Sequence, residues 1–88
     1  MPKRINWKLV AKQLAEAREE LQRLEAMVAS QKSRSKGALQ VGLEHAYHHL
    51  NFAWNAREMT AKSHRNLTPR QFQRGSRFPR TLKPIGVK

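Results

Sequence analysis

The sequence predicts an all-α protein, an antiparallel two-helix hairpin that dimerises into a four-helix bundle and carries a short third helix and an irregular basic C-terminal tail. Three observations lead there. Apolar residues recur at helical spacing through two stretches of about 25 residues each, a Ser/Lys/Gly-rich link separates those stretches, and prolines break the pattern in the last quarter. At 88 residues without cysteine, the chain has room for one small core and no disulfide or thiolate metal site to reinforce it.

The first helix is expected over residues 6–31. Asn6 is placed to cap exposed backbone donors, with Ile5 and Val10 at the spacing of a hydrophobic staple. Trp7, Val10, Leu14, Ala17, Leu21, Leu24 and Val28 then alternate steps of three and four, a seam for a partner helix. The intervening Ala, Glu, Gln, Arg and Lys are strong helix formers, and Glu19 and Arg23 have the spacing of an i to i+4 ion pair. SQKSRSKG, residues 30–37, supports no helix and offers a turn near Ser33 to Gly37. A bend in one long rod is the other reading.

The second helix is expected over residues 38–63, with Leu39, Leu43, Ala46, Leu50, Ala53 and Arg57 at four-three spacing and Tyr47 and Trp54 widening the stripe. Gly42, Ala46 and Ala53 permit close helix approach, and Phe52 falls roughly opposite the Leu43–Leu50 line. That is more apolar surface than one hairpin covers. Pairing of two copies through Trp7, Leu14, Leu21, Leu24, Leu43, Tyr47, Leu50 and Trp54 is the expected remedy, and a tail folded back over the second helix the rival one. The remaining side chains of that segment, His45, His48, His49 and Phe52, are expected on a surface open to a partner.

Residues 1–65 thus form the hairpin unit and residues 66–88 a basic segment with a short helix near 69–74. Thr68, Pro69 and Gln71 make a capping-box start, Gly75 a stop, and Pro79, Pro84 and Gly86 forbid helix beyond. Phe72, Phe78, Leu82 and Ile85 are the residues able to anchor it.

The net charge is +12 and unevenly placed. Residues 37–63 are neutral, while residues 64–88 hold seven Lys or Arg and no acid. Such a field favours polyanions such as RNA, DNA, anionic lipid or an acidic protein, without choosing among them. Arg65, Arg70, Arg74, Arg77, Arg80 and Lys83, interleaved with Phe72 and Phe78, alternate phosphate-binding cations with stackable rings and are the expected nucleic-acid contacts. A non-enzymatic adaptor, inhibitor or regulator docking through the aromatic face of the second helix is the alternative.

Catalysis and cofactors are not expected. Asp is absent, EHAYHH lacks the HExxH order, no Glu precedes a His by three, and no glycine-rich phosphate loop occurs. His45 and His49, four apart, are a weak two-ligand pattern, and no metal is expected. The basic start lacks an uninterrupted apolar run, so neither a signal peptide nor a membrane role is expected and a cytoplasmic location is the default.

Overall fold

The computed structural model describes residues 4–32, 34–79 and 81–82, and four helices lie among them. They are α1 (Trp7–Ser30), α2 (Lys36–Asn55), α3 (Ala61–Arg65) and α4 (Pro69–Gly75). Asn6 caps α1, its side chain accepting from the Leu9 amide. The helix ends at Gln31 in the left-handed conformation (φ 59°), and Ser35 starts α2 by accepting from the Ala38 amide. The chain therefore doubles back between Gln31 and Ser35, and α1 packs along α2 as a helical hairpin. Ser33, at the expected start of the turn, lies outside the described residues.

The hairpin seam lies one face away from the expected one. Leu9, Gln13, Ala17 and Leu24 are the buried residues of α1, against Gly42, Ala46 and Ala53 of α2. Small side chains set the approach: a Cβ on Gly42 would stand 2.8 Å from Leu24 Cγ. Of the residues expected in the seam, Ala17 and Leu24 are buried. Trp7 (70 % exposed), Leu14 (48 %), Leu21 and Val28 form an exposed row at intervals of seven that none of the described helices covers. A matching row on α2, Leu39, Leu43, Tyr47 and Leu50 (47 %), is exposed too. The rotation has a polar cause. His45 Nδ1 donates to Glu20 (2.9 Å) and His49 Nδ1 donates to Gln13 Oε1 (2.7 Å), bonds that form only when Gln13 and Glu20 face α2.

The second helix is shorter than expected. It stops at Asn55, the chain turns through residues 56–60, and Thr60 opens α3 by accepting from the Ser63 amide. Asn6 holds this break: its amide donates to the Arg57 carbonyl and its side chain to the Met59 carbonyl (2.9 Å). The break lets Met59 and Leu67 pack on a small core of Leu9, Phe52 and Ala56.

Helix α4 starts as expected, with Thr68 and Gln71 exchanging bonds in a capping box and Pro69 in the first turn. It does not reach outward. It lies on α2, where Phe72 meets Phe52 at 5.5 Å between ring centroids and Gly75 is close enough that a Cβ would stand 2.6 Å from Phe52 Cζ. Phe52 is 1 % exposed. It is core, not the partner surface expected of it, because α4 covers the side of α2 opposite the leucine row.

Candidate polyanion-binding cleft

Two asparagines one turn apart on α2 fasten the end of α4. Asn51 Nδ2 donates to the Ser76 carbonyl (2.8 Å), and Asn55 Nδ2 donates to the carbonyls of Gly75 (2.9 Å) and Arg77 (2.8 Å). Helix ends leave carbonyls without intrahelical donors, and these amides occupy them. The clamp brings Arg74 and Arg77 beside the C-terminal turn of α2.

There they meet Trp54 and Arg57. The Arg57 guanidinium carbon lies 3.9 Å from the Trp54 ring centroid, and its Nη1 donates to the Trp54 carbonyl at 2.8 Å. Trp54 Nε1 donates to Thr81 Oγ1 (2.8 Å), drawing the tail across the end of α2. The result is an open cleft of about 510 Å³ lined by three guanidinium groups, the Trp54 and Phe78 rings and the Asn55 amide. Among the described residues no carboxylate lines it. Glu58 pairs with Arg57 Nη2 at 3.6 Å and lines an adjoining cleft together with Arg4, Arg57, Thr60 and Ser63. Stacked guanidinium and indole with further cations alongside are the parts from which phosphate and base contacts are made.

The expected nucleic-acid residues divide. Arg74, Arg77 and Phe78 line the cleft. Arg70 is exposed, Arg65 lines a separate cavity on the histidine side, and Phe72 packs on Phe52 and His48. Arg80 and Lys83 lie outside the described residues. Arg57, read as a seam position, and Trp54, read as an interface residue, belong to the cleft. The i to i+3 spacing of Trp54 and Arg57 was the available signal for their stacking, although α2 ends before Arg57.

The histidines join α1, α2 and α3. His49 contacts both Gln13 and Glu16 (3.1 Å), its Nε2 stands 3.1 Å from His45 Nε2, and Gln13 Nε2 donates to His64 (3.3 Å). His48 lies against Phe52 and Phe72, with Nδ1 donating to Ser76 Oγ (3.0 Å). Burial, then the charges of His49 and His45, hold the His48 pKa below its ordinary value against the opposing pull of Glu16. Burial also lowers that of His49, outweighing Glu16 and Glu20. His48 and His49 are half-buried parts of this joint, while His45 is exposed. Among the described residues no three His, Asp or Glu side chains group as a metal site, and no helix is long and apolar enough to cross a membrane.

No protein-family model matches this chain, and no curated protein or solved structure shows significant similarity to it.

Proposed function

We propose that this chain is a non-enzymatic nucleic-acid-binding protein, working alone or within a ribonucleoprotein, and that the Trp54–Arg77 cleft takes the backbone and an unpaired base of a single strand. The observation that supports it is the convergence of Arg57, Arg74 and Arg77 on two aromatic rings with no acid among them. Four residues between 64 and 77 are arginine, which extends the positive field beyond the cleft. The clamp by Asn51 and Asn55 fixes the backbone that carries Arg74 and Arg77, and the Arg57 guanidinium is bonded to the Trp54 carbonyl, so less freedom is lost on binding. The competing adaptor reading, with an acidic protein as partner, has lost Phe52 to the core, which leaves Tyr47, 47 % exposed, as the main surface ring of that face.

Titration of fluorescent single-stranded RNA and DNA with the full chain tests the proposal. Arg74→Gln with Arg77→Gln should weaken binding about tenfold or more, near the 1.4 kcal/mol that a tenfold change represents. Arg65→Gln with Arg70→Gln removes the same charge outside the cleft and should do much less. Equal losses from the two pairs would reduce the cleft to general charge, and equal affinity for polyglutamate would favour the acidic-protein reading.

A further inference from the structure

The row of exposed apolar residues on α1 and the row on α2 lie on one side of the hairpin. Lys12 and Glu16 of α1 share a cavity with His48 of α2 and Phe72 of α4, so those residues mark the side that α3 and α4 occupy. At 100° per residue, Leu14 and Leu21 lie across the α1 seam from Lys12 and Glu16, and Leu43 and Leu50 lie across the α2 seam from His48. Both rows therefore face away from α4.

The rows are also level with each other. Gln13 bonds His49 and Glu20 bonds His45, which puts Leu14 beside Leu50 and Leu21 beside Leu43, with Tyr47 midway. The three central rungs are met in the same order from either end of this face, so a copy turned end over end presents Leu14 and Leu50 to Leu21 and Leu43 and Tyr47 to its own counterpart, with Trp7 opposite Val28 at the ends. A self-complementary patch is what a twofold dimer requires.

We infer that a second copy of this chain covers the face, making a four-helix dimer in which α3 and α4 lie on the outer sides. The exposed area of the two rows is on the order of 800 Å² per copy, about what each partner gives to a standard stable interface. Arg18, Arg34 and Lys36 border the rows with Glu25 as the acid among them, so it is the apolar area and the matched central rungs, not charge, that favour a second copy. The nucleic-acid cleft lies at the C-terminal end of α2, where Trp54 stands seven residues beyond Tyr47, so it borders the interface in each copy. His45 and His49, beside Glu16 and Glu20 on the seam, do not meet their counterparts in it.

Sedimentation of nuclease-treated full-length protein tests the dimer. Interfaces of this size hold at micromolar dissociation constants or tighter, so the parent should run as a dimer at roughly 100 µM. Leu50→Asp, and separately Leu14→Gln with Leu21→Gln, should weaken association at least tenfold, because each change occurs twice in the dimer. These side chains are half exposed in one hairpin, so far-ultraviolet circular dichroism should keep the helices of the monomer. A monomeric parent at that concentration overturns the inference, whether or not it floats with vesicles containing anionic lipid. An unchanged oligomer in both variants overturns it as well.

Discussion

Phe52 touches the rings of His48 and Phe72 and meets His64 edge-on at 5.9 Å, while its tip lies over the backbone of Gly75. Two substitutions follow from that single side chain. Phe52→Ala empties the largest fully buried site among the described residues and should cost about 3–5 kcal/mol, a large part of what a small domain holds in total. Gly75→Ala does the reverse, driving a methyl into the ring at 2.6 Å, and overpacking of that kind costs about 1–3 kcal/mol. Urea unfolding should show both losses, and Gly75→Ala on a Phe52→Leu background should cost less than on the parent, because the ring it strikes is gone. An unchanged penalty there would mean the clash is with something other than Phe52. Gly42 meets Leu24 in the same way, and Gly42→Ala should likewise destabilise the α1–α2 seam.

Helix by helix, legibility tracks how local the signal is. Helix α4 was readable to within a residue because Thr68, Pro69 and Gln71 carry its start within four positions. The break after Asn55 was not, because no Gly or Pro stands between Asn55 and Thr60, and what holds it open is Asn6, some fifty residues away. The seam of α1 was misplaced because apolar spacing counts Gln13 and Glu20 as solvent-facing, while the structure bonds both to histidines of α2. In the cleft, Arg74, Arg77 and Phe78 were visible from the run of charge, whereas Arg57 comes from the neutral middle and joins them through the fold alone. The same polar seam makes the packing of α2 sensitive to pH. His48 and His49 have pKa values lowered from 6.5 in the folded protein, chiefly by burial. Between the lowered values and 6.5 the unfolded chain binds more protons than the folded one. Their contribution to stability is therefore complete above about pH 6.5 and declines as the pH falls through the folded-state values. Urea midpoints should drop on acidification from about pH 7 to pH 5, and His48→Gln with His49→Gln should flatten that profile. An equally steep profile in the double variant would put the sensitivity elsewhere.

For the whole molecule, a charge of +12 acts on the two proposed associations in opposite senses. Two copies brought face to face repel through all their uncompensated cations, and this repulsion reaches across the dimer at low ionic strength, where the screening length is about 30 Å at 0.01 M and about 8 Å at 0.15 M. Added salt shortens that reach while leaving burial of the leucine rows intact, so the dimer should tighten as salt rises. Nucleic-acid binding releases counterions from phosphate, so it should weaken over the same range, with a logarithmic slope of roughly 0.7 for each cation engaged on a single strand. Removing two cleft cations, as in Arg74→Gln with Arg77→Gln, should lower that slope by between one and two. Sedimentation and fluorescence titration in one salt series read both trends. Dimer and complex weakening together would mean that the two copies are held by charge, as when one strand bridges them, and the leucine face would then no longer account for the pairing. A dimer that tightens while the complex loosens requires two separate surfaces, one apolar and one cationic, which is the division the hairpin makes between its open face and the end of α2.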